Sequence, residues 1–246
     1  MDPLIPPARV LVVLPTYNEA ENIEPLVDAL YRLGVPGLHV LVVDDQSPDG
    51  TARRVRGMQE SRPGLRLIER SGPPGRGLAG RDGFVYALHR GVEAVVEMDA
   101  DFSHQPRYVP QLLGALKDAD MALGSRRARG GTDADRSPAR RVLTWLANLF
   151  ARSVLGLPVL DTNSGFRAYS RKALEAVEPE TLRSVGPSIV HEVLFRAARA
   201  GLSIREVPIQ FIDRKAGLSK LTLARLAAGY LWILRLRLQT LAKRGR

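Results

Sequence analysis

The sequence predicts an α/β domain built on a mainly parallel twisted sheet with helices on both faces. Short apolar runs alternate with stretches of helical periodicity, which is the β-α-β-α order of such folds. The runs are apolar on both strand faces, as strands buried in a parallel sheet are. Three of them end in acids and turn formers, and ligands of such sheets sit beyond the carboxyl ends of the strands.

Residues 9–15 form the first run, closed by Pro15. A helix follows: Asn18 can cap it, and Ile23, Leu26, Val27 and Leu30 recur at helical spacing before Gly34. Residues 39–43 are the second strand and end in Asp44-Asp45-Gln46-Ser47-Pro48-Asp49-Gly50-Thr51. A short helix over 51–60 and a strand over 65–68 come next. Residues 71–83, rich in Gly, Pro and Arg, read as a loop, either phosphate-facing or plain surface. It has no Walker Lys-Ser/Thr ending and does not follow the first strand, so no dinucleotide fingerprint applies. A helix over 83–91 leads into the strand that ends at Asp99 and Asp101. Residues 121–124 form another strand before Ser125-Arg126-Arg127, and the polar residues 128–137 suggest a lid. On the helix over 140–155, Val142, Trp145, Leu146, Leu149, Phe150 and Val154 share one face, which is expected to pack in the core, with contact to lipid as the lesser alternative. Residues 161–167 are turn-rich, 189–199 helical, and 204–211 an edge strand, because Pro208 cannot donate to a central ladder. The last helix signal, 221–241, holds nine uncharged residues between Arg225 and Arg235, too few to span a bilayer. It fits either a closing helix or a C-terminal amphipathic helix lying on an anionic leaflet.

The 246 residues, 45% hydrophobic, suffice for one large core. The absence of cysteine excludes disulfides and thiolate metal sites, and the four histidines lack zinc spacing. No secretory signal pattern opens the chain, so a cytoplasmic protein is expected. The net charge of +10 is concentrated in residues 214–246, which carry nine Lys or Arg and no acid, leaving 10 − 9 = +1 elsewhere. Such a tail suits anionic lipid, nucleic acid or a phosphorylated ligand. It interleaves Arg with Leu and Trp and shows no nucleic-acid motif, which disfavours a nucleic-acid partner.

Asp99 and Asp101 stand one residue apart at a strand end. Residues i and i+2 of a strand face one way, so both carboxylates can hold a hard divalent cation and, through it, a diphosphate. A solvated strand end with two unrelated acids is the plain alternative. Convergence of three strand ends, at residues 15–19, 44–49 and 99–101, favours the metal site.

The ordered set Pro15-Thr16-Tyr17-Asn18-Glu19, Val43-Asp44-Asp45, Met98-Asp99-Ala100-Asp101-Phe102-Ser103-His104, Gly124-Ser125-Arg126, Ser164-Gly165-Phe166-Arg167 and Glu206-Val207-Pro208-Ile209 through Arg214 to Lys220 resembles family 2 glycosyltransferases, in particular their dolichyl-phosphate or polyprenyl-phosphate mannose synthase branch. The resemblance implies a nucleotide-diphospho-sugar transferase fold of the GT-A type over residues 1–220, with 221–246 as a basic appendage. It implies that Pro15, Tyr17, Glu19, Val43 and Asp45 hold the nucleoside, with Ala100 also lining the donor site. Asp99, Asp101 and Ser103 would hold Mg²⁺ or Mn²⁺, and Arg126, Arg214 and Lys220 would neutralise donor phosphates. Asp101, Arg126 and Arg214 would carry catalysis, and Arg140 and Thr144 would bind the acceptor phosphate.

The activity so implied is inverting transfer of a hexose, mannose from GDP-mannose first, to a polyprenyl or dolichyl monophosphate. UDP-glucose or another donor, or a glycan acceptor, is the runner-up, and nucleic-acid binding through the tail is the non-enzymatic alternative. The expected location is peripheral, on the cytoplasmic face of a membrane, with a membrane partner subunit left open. Two stretches depart from the family pattern: Gly75-Arg76-Gly77-Leu78-Ala79-Gly80, and residues 186–192, where only Gly186 and Glu192 keep it. His191 and Glu192 are adjacent on a helix and so point about 100° apart, which disfavours a joint role.

Overall fold

The computed structural model describes residues 9–133, 138–212, 229 and 231–238. Seven strands form one sheet in the order β3-β2-β1-β4-β6-β5-β7: β1 (Val10–Thr16), β2 (Leu38–Asp44), β3 (Leu65–Glu69), β4 (Ala94–Glu97), β5 (Met121–Ser125), β6 (Arg167–Ser170) and β7 (Ile204–Pro208). All pairings are parallel except those of β6, which runs antiparallel to both β4 and β5. The mainly parallel sheet is therefore as expected, and β7 is an edge strand with its proline at the last position. Pro15 lies inside central β1 without cost to the β4 ladder. That pairing ends at Val13 and Glu97, so the missing N–H falls beyond it.

Strict alternation of buried residues divides the core in two. Leu11, Val13, Leu41 and Val43 point to the face covered by α3 (Arg76–His89), α5 (Pro138–Leu155), α6 (Arg171–Val177) and α7 (Ile189–Arg199). Val12, Leu14, Val40 and Val42 point to the face covered by α1 (Ile23–Tyr31), α2 (Thr51–Gln59) and α4 (Val109–Ala115).

Two expectations need correction. The segment expected to be a loop over 71–83 becomes helical at Arg76, so α3 runs fourteen residues. Its glycines serve contact rather than mobility. A Cβ on Gly83 would stand 2.4 Å from Val13 Cγ1, and one on Gly77 2.2 Å from the Ser184 carbonyl oxygen, so α3 is wedged between the sheet and residues 184–186. The α5 stripe expected in the core is largely outside. Val142, Leu143, Trp145, Leu146 and Leu149 are all exposed, and only Phe150 and Val154 pack partly against the core.

Most of the C-terminal helix signal lies outside the described residues, but 231–238 is helical. Ile233 is buried in the core while Leu231, Leu234 and Leu238 are exposed, so this stretch both packs and presents an apolar edge. Among the described residues no helix is long and apolar enough to cross a membrane.

Candidate active site

The carboxyl ends of β1, β2 and β4 meet at one crevice, as neighbouring parallel strands must. The β1 and β2 loops are zipped together. The Asn18 N–H donates to Ser47 Oγ at 2.9 Å, Glu19 N–H to Thr51 Oγ1 at 3.0 Å, and Ala20 N–H to Asp49 Oδ2 at 2.9 Å. Asp44 holds the junction, accepting from Thr16 Oγ1 at 2.9 Å and Ser47 Oγ at 2.6 Å. Burial disfavours the Asp49 charge, but hydrogen bonds from Thr51 and Ala20 outweigh it and keep this carboxyl below its ordinary value. Asn18, Gln46 and Phe102, one in the loop after each of the three strands, adopt positive φ of 57°, 62° and 59°. Such backbone costs free energy and collects where loops are held in a fixed functional shape.

β4 stops at Glu97, so Asp99 and Asp101 stand on the loop beyond it rather than on the strand. Asp101 is buried and its Oδ1 accepts from Ser103 Oγ at 2.6 Å and Ser103 N–H at 3.1 Å. Ser103, expected as a metal ligand, thus orients Asp101. Asp99 is held from two sides. Arg76 Nη2 donates to its Oδ1 at 3.0 Å while Arg76 Nη1 donates to buried Glu97 at 2.7 Å. The Asp99 N–H donates to His104 Nδ1 at 3.0 Å. Burial lowers the His104 pKa against the pull of Asp99 and Asp101, so the ring is neutral and Nδ1 is free of a proton to accept that bond. His104 stacks on Phe166, ring centroids 5.1 Å apart. Burial opposes the Arg76 charge, yet Glu97 and Asp99 raise its pKa well above the ordinary arginine value.

Asp45, expected at the nucleobase, accepts from Arg70 and, at 2.6 Å, from the Gly75 N–H that begins α3. Arg70 also bonds Asp82 on α3 at 2.8 Å. A carboxylate has about four acceptor positions, so these bonds leave room for a base edge. Val43 is fully buried in the core, which limits its part in the crevice to backbone; Pro15 is buried too, Tyr17 exposed and Glu19 half-buried. Ala100 is buried between the two aspartates. A cavity of 590 Å³ reaches the Asp101 loop from the α1 side, lined there by Asn22, Arg32, Phe102 and Arg107.

Arg126 has a partner the sequence did not suggest. Its guanidinium grips Asp161 through two bonds of 2.7 Å, its own N–H adds a third at 3.0 Å, and Phe211 lies against it at 5.1 Å. Both members are buried, so they enter the site as a neutral pair that fixes the β5 end to the 161–167 loop. Arg167, fully buried, secures that loop by donating to the carbonyls of Ser164 at 2.8 Å, Thr162 at 3.1 Å and Val190. Glu192 binds Ser184 Oγ at 2.6 Å and Arg196 at 2.8 Å, whereas His191 Nε2 meets Asn163 Oδ1 at 3.0 Å; the two share no partner, in line with their angular separation. Thr144 is half-buried on α5; the Arg140 side chain, Arg214 and Lys220 lie outside the described residues.

Arg76, Glu97, Arg70, His104 and Asp161 were not singled out from the sequence. For Glu97 a signal existed: it precedes Asp99 at the same two-residue interval.

Among the described residues no group of three or more His, Cys, Asp or Glu is placed to hold a metal ion. Two carboxylates on one loop, oxygen donors only, nevertheless fit Mg²⁺ or Mn²⁺. Such ions are commonly bound through one or two carboxylates with phosphate oxygens and water completing the shell.

A parallel sheet with an acid-bearing loop after β4 and helices on both faces is the architecture of a nucleotide-sugar transferase of the GT-A type. Residues 11–178 match the model of glycosyl transferase family 2, and the chain belongs to that family. It is a glycosyltransferase. It is 41% identical to the undecaprenyl-phosphate mannosyltransferase of Micrococcus luteus, over 87% of this chain and 88% of that protein. It is 40% identical to the polyprenol monophosphomannose synthase of Mycolicibacterium smegmatis, over 88% and 82%. Among solved structures it resembles glucosyl-3-phosphoglycerate synthase from Mycobacterium tuberculosis in complex with Mn²⁺ and UDP-glucose, with a TM-score of 0.63, 26% identity and coverage of 94% of this chain and 79% of that one.

Proposed function

We propose that this enzyme transfers mannose from GDP-mannose to a polyprenyl monophosphate, working at the cytoplasmic surface of a membrane. The observation that carries this reading is a pairing within one molecule: an oxygen-donor acid loop suited to a cation and diphosphate, and an exposed apolar face on α5. The two curated relatives described above support the same acceptor class and sugar.

An oxygen of the lipid phosphate attacks the anomeric carbon in line, the bond to the nucleoside diphosphate breaks, and configuration inverts. A phosphate monoester is ionised near neutral pH, so no strong general base is required. Asp99 and Asp101 would hold the divalent ion, which when bound neutralises charge on the departing diphosphate. Arg76 and Ser103 fix where those carboxylates point, so their geometry is set before substrate arrives. Pro15, Tyr17, Glu19, Val43, Asp45 and Ala100 would form the nucleoside side of the crevice. Arg214 and Lys220 would supply the uncompensated positive charge that Arg126, paired with Asp161, does not. Arg140 and Thr144 on α5 would receive the acceptor phosphate.

The membrane surface would meet Val142, Leu143, Trp145, Leu146 and Leu149 of α5, and the exposed Leu231, Leu234 and Leu238 belong to the basic segment 221–246 that would join it there. The long acceptor then stays in the bilayer while its phosphate enters the crevice. A donor panel tests the reading: with polyprenyl phosphate and Mg²⁺, label from GDP-mannose enters a mild-acid-labile lipid and label from UDP-glucose or UDP-N-acetylglucosamine does not. Preference for UDP-glucose would move the enzyme to the runner-up reading, and absence of lipid label with every donor would refute the acceptor class.

A further inference from the structure

The inner side of α5 carries a cluster of donors that sugar transfer does not use. Arg127, Trp145, Asn148, Leu149, Arg152 and Leu160 line an open cavity of 130 Å³. Asn148 is only 4% exposed. Its Oδ1 accepts from Thr162 Oγ1 at 2.8 Å, and from Thr162 N–H and Asn163 Nδ2 at 2.9 Å each, which fixes the amide's orientation. Its Nδ2 is thereby left buried with no partner. Arg152 Nε and Arg127 Nε and Nη2 are also buried without a hydrogen-bond partner. Asp133 comes no nearer than 3.8 Å to Arg127 Nη2, and it faces Arg141 at 3.6 Å as well. Among the described residues Arg152 has no ion pair.

Four donors are thus orphaned here, three of them on two permanent cations, against one orphaned acceptor, Asp133 Oδ2. Buried donors in such excess are unfavourable when left unpaired, so the cavity calls for an acceptor-rich anion. Its volume admits a tetrahedral oxyanion and excludes a nucleotide. Trp145 and Leu149 are about half exposed and form part of the apolar α5 face, so an anion seated here has an apolar surface beside it for an attached chain. The geometry points to a headgroup pocket for the phosphate of a membrane phospholipid, built from residues other than the proposed acceptor residues Arg140 and Thr144. This rests on the reading of α5 as a bilayer face. A phosphate held there fixes how the enzyme is rotated on the membrane and brings α5 down with the crevice facing the acceptor.

The test compares phosphatidylcholine vesicles charged with phosphatidylglycerol against vesicles brought to equal charge with oleate, whose anion is a carboxylate. Wild type binds the phosphatidylglycerol vesicles more tightly. Arg152→Gln weakens that binding about fivefold, and Arg127→Gln with Arg152→Gln weakens it further, with oleate binding little changed. Arg171→Gln, a substitution on the unrelated helix α6, leaves the difference between the two vesicles intact. Equal losses on both vesicles would mean surface charge alone and overturn the pocket. A second arm needs no bilayer: in a Trp232→Phe chain, Trp145 is the remaining tryptophan. Its emission shifts with monomeric dihexanoyl phosphatidylglycerol, Arg152→Gln abolishes the shift, and melting temperatures confirm folding. A response to inorganic phosphate as strong as to the lipid would overturn the lipid assignment. Vesicle binding that ignores Leu146→Ser would instead refute the bilayer face while leaving the Trp145 result to judge the pocket.

Discussion

Helices α3 and α5 invert what their compositions suggest. α3 contains three glycines and three charged residues in its first eight positions, yet it is the buried one, clamped by Val13, Ser184 and Gly186. α5 has a long apolar stripe, yet it turns that stripe outward and its polar Asn148 inward. The difference teaches that packing partners, not local hydropathy, decide what a helix buries. α3 earns its interior place through absent side chains and an arginine whose charge is fully matched by Glu97 and Asp99. On the proposed function, the exposed Trp145 and Leu146 of α5 are the residues that would meet the membrane surface.

The largest effect is expected from Arg76→Ala, which strips buried Glu97 of its cation and Asp99 of its guide. Loss of about 3–5 kcal/mol of stability is expected in denaturant unfolding, together with loss of transfer activity. Full stability would show that α3 is not held by this pair. Next comes Gly77→Ala, whose added Cβ meets backbone rather than a flexible side chain; a cost of about 1–3 kcal/mol should appear as a lower urea midpoint. An unchanged midpoint would restore the reading of residues 71–83 as a loop.

A comparable effect should follow pH through His191, whose Asn163 partner is tied to the inward face of α5. Burial, then Arg167, lowers its pKa to about 3 from the ordinary 6.5. The unfolded chain therefore binds a proton that the folded chain refuses. His191's contribution is complete above pH 6.5 and is lost as pH falls toward 3. His191→Gln should remove roughly 2 kcal/mol of the stability difference between pH 6.5 and pH 5, measured by urea unfolding at both. The smallest effect on folding belongs to Leu146→Ser, within about 0.5 kcal/mol, because the residue is already in water. Its loss should show in vesicle binding instead; a large drop in melting temperature would return α5 to the core.

The sheet was readable because its strands are continuous apolar runs whose ends carry turn chemistry, and Asp99 and Asp101 stood out for the same reason. β6 was not readable: four residues give no period, and its antiparallel place between β4 and β5 is set by long-range pairing. Arg76 was hidden because glycine in sequence signals freedom and close approach alike. Arg126 was legible as a conspicuous cation but not as one already matched. Asp161, thirty-five residues away, is joined to it only by the fold.

The most direct measurement of the central claim is mass analysis of the lipid after incubation of the full chain with GDP-mannose, Mg²⁺ and vesicles containing polyprenyl phosphate. The account predicts a polyprenyl phosphate bearing one hexose, formed by wild type, abolished by chelation of the metal, and reduced about a hundredfold or more in Asp101→Asn. Unmodified lipid, with GDP-mannose intact or hydrolysed to free mannose, would contradict it.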